Sequence, residues 1–421
     1  MNRRQRYDVV VIGAGTAGLV AGARLAQAGA QVCVLAKGVG STHLAPGTID
    51  VLGYAPARVD SPRDGIAALV AERPDHPYAL IGGDVVAHAT DWLLEAVAQG
   101  PLPGYRYAGS LERNLMLPTA VGALKPSALA PETFAAGDAG HLGRVALVGT
   151  PLLRDFHASL CAENLRSTGV DAAAVTLDLQ LDRADASTLG MARRLDDPAW
   201  RAAFSARLAP LIRTADHVGL PAILGLRDPH GVLEELEARL GRRVFEIPTL
   251  PPSVPGMRLF EILQQALRTA GGRAAIGAGV VGHRREGDRI LSVETASAGS
   301  QTSYDADAFV LATGGFHSGA IALDSHWQAR EQVLDLPLQG VPGSGEARFV
   351  ASYLDEQPLA RAGVAVDADL RAAGAANVIV AGASLPGSVP WREGSGEGIA
   401  LASGFRAAQV VAAELGAEVM A

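Results

Sequence analysis

The 421-residue sequence holds only two cysteines, Cys33 and Cys161. That number excludes a four-cysteine iron–sulfur site built by this chain alone. It also offers no disulfide framework, which fits a reducing cytoplasm. Cys33 falls inside an apolar, strand-like run and reads as a structural thiol. Basic residues are in deficit: 36 Lys and Arg stand against 44 Asp and Glu, a formal charge of −8. A nucleic-acid binder would usually carry the opposite field. No uncharged apolar run reaches the roughly 18 residues a membrane helix needs, so membrane association would have to run through a surface or a partner. No cluster has metal-ligand spacing, and there is no Gly-x-Ser-x-Gly nucleophile elbow.

One further absence is local. The apolar stretch QVCVL (31–35) runs into Ala36 and Lys37. In most dinucleotide folds an acid at this point holds a ribose hydroxyl. Ala36 cannot accept a hydrogen bond through its side chain, and Lys37 is a donor suited to a phosphate.

What is present is a globular composition, 48% hydrophobic with 49 glycines. Residues 7–35 read as strand, turn, helix, strand. YDVVVI is apolar on both faces, as in a buried parallel strand. Gly13-Ala-Gly15-Thr-Ala17-Gly18 then opens an alanine-rich helix that ends at Gly29. In such a turn Gly13 makes the bend and Gly15 admits a pyrophosphate. Gly18 lets helix and strand close up, and the helix N-terminus offers N–H groups to the phosphate. The basic MNRRQR ahead of it reads as a solvated leader. It does not read as part of a signal peptide, because Arg24 and the motif glycines interrupt the apolar run.

Residues 144–177 form another strand–helix–strand, whose Gly149-Thr-Pro turn lacks Gly-x-Gly and reads as architectural. A helix is expected near 256–270. Residues 273–315 alternate like an antiparallel sheet with turns at 286–288 and 298–301. The strand within Asp307–Gly315 ends in Ala312-Thr313-Gly314-Gly315, where backbone can pass close to a cofactor. Asn377-Val-Ile-Val-Ala-Gly382 is a last strand, followed by a glycine loop and a helix. These signals predict an α/β protein with a discontinuous Rossmann-like flavin-binding domain, residues 1–55 and 300–421. An inserted α+β capping and partner-contact domain takes up residues 56–299.

The three-part pattern resembles the succinate dehydrogenase and fumarate reductase flavoproteins. Segments along nearly the whole chain are more specific: STHLAPGTIDVL (41–52), HPYAL (76–80), PTLPPSVPGMRL (248–259), FVLATGGFHSG (309–319) and NVIVAGASLPG (377–387). With them the chain resembles the B-subunit family of anaerobic glycerol-3-phosphate dehydrogenases. That resemblance implies oxidation of sn-glycerol 3-phosphate to dihydroxyacetone phosphate. Electrons would pass through a membrane-bound iron–sulfur partner, the C-subunit, to quinone in fumarate or nitrate respiration. It also implies a companion flavoprotein, the A-subunit, together with a cytoplasmic place at the inner face of the membrane. The flavin it implies is FMN, which the missing ribose acid also favours, with FAD as the alternative.

Cofactor contacts are expected from Gly13, Gly15, Ala17, Gly18, Lys37, Ala312, Thr313, Gly314 and Gly382. Alcohol oxidation needs a base and the substrate needs a cationic clamp. His43 and His317, both in loops, are the candidate bases; the wider family has a histidine near the first that contacts flavin. Arg258 is the candidate phosphate clamp, with Arg392 a weaker second. His76, held by Pro77, reads as a loop-fixing residue. Glu397, in a glycine loop where relatives keep small residues, either points to solvent or marks a different mode of binding. Two other functions stay open. One is a non-catalytic flavin carrier or structural subunit of the same complex. The other is a stand-alone dicarboxylate-oxidising flavoenzyme.

Overall fold

The computed structural model describes residues 3–179, 187–297, 300–343, 345–352 and 354–417. The strands used below are, in chain order, β1 (Arg3–Ile12), β2 (Val32–Ala36), β3 (Val145–Gly149), β4 (Ala172–Thr176), β5 (His217–Pro221), β6 (Arg243–Ile247), β7 (Arg273–Ile276), β8 (Val280–Glu286), β9 (Arg289–Ser297), β10 (Ser300–Leu311) and β11 (Val378–Val380). The helices are α1 (Thr16–Gln27), α2 (Ala158–Ser167), α3 (Thr188–Leu195), α4 (Pro198–Leu208), α5 (Pro229–Leu240), α6 (Val254–Thr269) and α7 (Gly396–Glu414).

The chain divides into two compact units. One comprises residues 1–41, 63–93 and 263–421, and the other residues 42–62 and 94–262. The boundary expected at 299/300 therefore moves to 262/263, because β7, β8 and β9 hydrogen-bond into the same sheet as β1 and β10. Residues 63–93 likewise join the first unit instead of the insertion.

The first unit is a seven-stranded sheet in the order β7-β2-β1-β10-β9-β8, with β11 added beside β10. β1 pairs in parallel with β2 and, from Arg3↔Thr302 to Ile12↔Leu311, with β10. β10 is long enough to serve two partners on one edge. Its first six residues pair antiparallel with β9, and Phe309–Leu311 pair in parallel with β11. Val9, Val10, Val11, Val34, Leu35, Phe309 and Val310 are fully buried, as strands covered on both faces require. Two expectations change here. Arg4 and Arg6 belong to β1 instead of a leader, with ion pairs to Asp305 and Asp307 on β10. β7 is parallel to β2, not part of the antiparallel meander. The turn at 286–288 is present between β8 and β9, whereas residues 298–299 lie outside the described ones.

His76 is fully buried and caps the short helix Pro77–Ile81, accepting the Tyr78 N–H at Nδ1. That bond leaves Nε2 to donate to Glu393, at 3.2 Å. The Glu393 carboxylate also accepts from Arg73 (3.0 Å), Val389 N–H (3.0 Å) and the Ser395 hydroxyl (2.9 Å). Burial alone would raise its pKa, but these donors outweigh burial and pull it down to about 2.

The second unit has its own four-stranded parallel sheet, ordered β6-β5-β3-β4, with α2, α3, α4 and α5 in its connections. Its core includes Leu147, Cys161, Leu165, Leu220, Leu236 and Phe245. Burial pushes the Cys161 thiol up to about 12, so it packs as an inert apolar group. At the end of β6 and the start of α6 lies a fully buried ion pair. Arg258 Nη1 donates to Glu246 at 2.7 Å, and both side chains are 0% exposed. Arg258 Nε and Nη2 donate to Gly225 O at 2.9 and 2.7 Å, and Glu246 accepts the Leu224 N–H at 2.6 Å. Every donor nitrogen of the fork is thus used inside the unit.

Two outcomes follow for stability. Arg258→Ala strands a buried carboxylate, so urea denaturation should show a loss of about 3–5 kcal/mol. Glu393 titrates lower folded than the ordinary 4.5. Its contribution is therefore present above that pH and lost as pH falls toward about 2. The gap in unfolding free energy between wild type and Glu393→Gln, up to roughly 3 kcal/mol near neutrality, should narrow in urea titrations taken from pH 6 down to pH 3.

Candidate flavin site

The first unit builds the site at the carboxyl ends of β1 and β10. Gly13 leaves β1 with φ +117°, and a Cβ there would lie 2.1 Å from Ala312 O. A Cβ on Gly18 would lie 2.0 Å from Gly13 O and 3.3 Å from Ala312 Cβ. Glycine is therefore obligatory at both positions, and it lets α1, β1 and β10 converge. Gly15 differs: a Cβ there would meet nothing within 4 Å. Packing does not require a glycine at this position, and the space above it is open to a ligand. Gly15 is the N-cap of α1, with no side-chain cap bond, and α1 has no acid in its first turn. The helix end thus presents N–H groups toward that space, although the Glu397 carboxylate beside Thr16 offsets part of its positive potential.

Ala17, Thr313, Gly314 and Gly382 join this cluster. Gly382 turns with φ +73°, and a Cβ there would sit 3.0 Å from Ala17 Cβ. Its N–H donates to Ser403 of α7 at 2.8 Å, while the Ser384 hydroxyl donates to Gly314 O at 2.9 Å. A Cβ on Gly404 would lie 2.4 Å from Ala17 O, so α7 packs against α1 as closely as α1 does against β1. Thr313 Oγ1 is buried without a hydrogen-bond partner. A buried hydroxyl of this kind calls for a ligand or an ordered water. The open Gly15, the uncapped helix end and the orphaned Thr313 together fit a phosphate-bearing cofactor.

Lys37 is exposed, and its stem runs beside Gly279, where a Cβ would lie 3.4 Å from Lys37 Cβ. Glu397 does not simply point to solvent. Its carboxylate accepts the Thr16 hydroxyl at 2.9 Å, which sets an acid of α7 beside the first residue of α1. Sequence reasoning missed Ser384, Ser403 and Gly404. Small residues in an apolar helix carry no signal until the facing backbone is known.

The candidate catalytic residues are divided between the two units. His317 is exposed on a short turn of the first unit, and Arg392 Nη1 is bonded to Leu354 O. His43 belongs to the second unit. Its ring meets Phe260 edge-on at 4.7 Å, and its carbonyl accepts the Ser253 N–H at 2.9 Å. Burial lowers its pKa, so the ring is neutral at pH 7 and able to take a proton. Arg258 is corrected from phosphate clamp to structural residue. With no exposed side-chain surface and its donors bound to Glu246 and Gly225, it has no fork left for a substrate.

Residues 8–383 match the family described as FAD binding domain. A Halobacterium salinarum protein, described as the probable B-subunit of anaerobic glycerol-3-phosphate dehydrogenase, is 36% identical, covering 96% of this chain and 97% of its own. The B-subunit of the anaerobic glycerol-3-phosphate dehydrogenase of Yersinia enterocolitica is 32% identical, covering 97% and 99%. Among solved structures, 3-ketosteroid delta1-dehydrogenase from Sterolibacterium denitrificans aligns with a TM-score of 0.47 at 12% identity, covering 97% of this chain and 100% of that one. The glycine cradle and the full-length sequence likenesses agree: the chain belongs to the FAD-binding-domain family and, among its members, to the anaerobic glycerol-3-phosphate dehydrogenase B-subunits.

Proposed function

We propose that this chain is a flavin-bearing subunit of an anaerobic complex that oxidises sn-glycerol 3-phosphate to dihydroxyacetone phosphate. The observation that carries the reading is the 36% identity over 96% of the chain to a protein named as that subunit. Bound flavin supplies a two-electron acceptor for the hydrogen on the substrate's C2. The chain's own residues then have three tasks. Gly13, Gly15, Gly18 and the α1 N-terminus hold the cofactor phosphate. Thr313, Gly314 and Gly382, braced by Ser384 and Ser403, hold the backbone against it. His43, neutral at pH 7, takes the hydroxyl proton as C2 loses its hydride. His317 is the second candidate for that proton.

We read the cofactor as FAD. The FAD family match runs through β2 and its Ala36-Lys37 end. One missing acid forfeits about 1–3 kcal/mol of hydrogen bonding, a small part of what a pyrophosphate cradle provides. The absent acid remains the argument for FMN.

The partners come from the likeness to B-subunits, and the composition agrees with it. Two cysteines cannot ligate a cluster of the four-cysteine kind, so the iron–sulfur chain belongs to another protein of the complex. Among the described residues no helix is long and apolar enough to cross a membrane. In this reading contact with quinone at the inner face of the membrane runs through an iron–sulfur partner, the C-subunit, with the flavoprotein A-subunit as companion.

Chromatography of the flavin released by denaturing purified protein should give FAD in stoichiometric amount; FMN alone would overturn that part of the reading. His43→Asn should lower kcat/KM by about 100-fold or more and remove the acid limb of its pH profile, since general-base contributions run at 10²–10⁴. In wild type that limb should lie below the ordinary histidine value of 6.5. An unchanged profile would shift the role to His317.

A further inference from the structure

The second unit's sheet carries a feature that its turn sequences hide. Its order β6-β5-β3-β4 reverses direction between β3 and β5: β3 leads through α2 to β4 on one side, while β5 and β6 lie on the other. In open parallel sheets, ligands bind outside the carboxyl ends of the strands at such a switch point. Two loops flank it, residues 150–157 after β3 and 222–228 after β5. Paired from Val145↔His217 to Leu147↔Gly219, β3 and β5 run side by side toward these two loops.

Each loop brings an exposed arginine, Arg154 in the first and Arg227 in the second. Neither guanidinium has an ion pair or side-chain hydrogen bond among the described residues. The nearby acids are largely engaged: Asp196 accepts the Leu226 and Arg227 N–H groups, and Asp228 accepts the Gly231 N–H. Asp155, exposed next to Arg154, is left to solvent. At the start of the first loop lies Thr150, nine-tenths buried, with an Oγ1 that has no partner. The N-terminus of α2 beyond it is not capped by a side chain.

The second loop is also held rigid. Arg258 grips Gly225 O with two bonds, Glu246 takes the Leu224 N–H, and Asp196 takes the next two N–H groups. A loop fixed at three successive points presents Arg227 in one place, which lowers the entropic cost of binding. The same edge carries the exit of β6, whose Ser253 N–H bonds the His43 carbonyl. The candidate base and the two unpaired arginines thus all belong to the second unit.

We propose that the β3/β5 switch point is the substrate's phosphate subsite, with Arg154 and Arg227 as the clamp and the Thr150 hydroxyl as a third donor. Arg258 and Glu246 are positioning residues for the loop that carries Arg227. The ligand class is a small phosphate monoester. Naming it glycerol 3-phosphate rests on the functional reading above, whereas the anion chemistry does not.

The test is calorimetric titration of the flavin-loaded, full-length protein at low salt with sn-glycerol 3-phosphate, inorganic phosphate and glycerol. Arg154→Ala, Arg227→Ala and Thr150→Val serve as variants, and because both arginines are exposed, their variants should keep the wild-type melting temperature. Both phosphate-bearing ligands should bind wild type and compete with each other, and glycerol should not. Each arginine variant should weaken both by about tenfold to a hundredfold, and Thr150→Val by less. Undiminished binding in the arginine variants overturns the subsite while leaving the dehydrogenase reading intact. Inorganic phosphate that binds and is lost with the arginines, in a protein whose flavin sn-glycerol 3-phosphate does not bleach, supports the subsite and counts against the dehydrogenase reading. Failure of both phosphate ligands to bind wild type overturns the subsite.

Discussion

The first unit depends on a backbone-to-backbone contact that leaves no room for a side chain. Gly13 and Ala312 are 299 positions apart, yet a single Cβ on Gly13 would come to 2.1 Å from Ala312 O. That approach is possible because β1 and β10 run parallel and in register up to Ile12↔Leu311, so both chains leave the sheet side by side. Once they do, the N-terminus of α1, the Thr313-Gly314 turn and Gly382 meet at one place. The glycines are therefore of two kinds. Gly13 and Gly18 are glycine because protein backbone occupies the space of a Cβ. Gly15 is glycine where the space is open, so packing does not demand it, and room for a ligand at the helix end accounts for it in the proposed reading.

The second unit is organised around a charge pair instead of a close approach. A buried guanidinium that serves only Glu246 would contribute little net stability. Arg258 also closes the β5 exit loop through Gly225 O, and Glu246 closes it through Leu224 N–H. The pair is thus a brace for irregular backbone at the carboxyl edge of a parallel sheet, where α/β folds place their chemistry. This explains why the conspicuous PTLPPSVPGMRL segment, which ends in Arg258 and Leu259, need not touch a substrate to matter for one. Its arginine fixes the geometry of a loop more than 30 residues earlier in the chain.

Much of the cofactor side was legible in the sequence because it follows from local rules. A β-branched apolar run, a glycine turn and an alanine-rich helix specify strand, phosphate turn and helix in one contiguous stretch, and the structure has β1, the turn and α1 there. The strands ending at Ala312 and Gly382 were equally readable from apolar runs that stop at glycines. The fold class followed, and so did the family, since its segments are distributed along the chain. The domain boundary was not readable: the residues of β7, β8 and β9 alternate in the same way whichever sheet they join. The Arg3–Arg6 stretch looked like a solvated leader because its partners, Asp305 and Asp307, are about 300 positions away.

The sequence alone determined the elements, the nucleotide-type turn, the inability of two cysteines to carry an iron–sulfur chain and the family. Each depends on residue type and short spacing. Tertiary structure decided what individual polar side chains do. Arg258, chosen from sequence as a phosphate clamp, became a buried brace, while Arg154 and Arg227, unremarkable in sequence, were left unpaired at a switch point. A guanidinium's role depends on which acceptors lie within about 3 Å of it, and those acceptors come from distant segments brought together by sheet order.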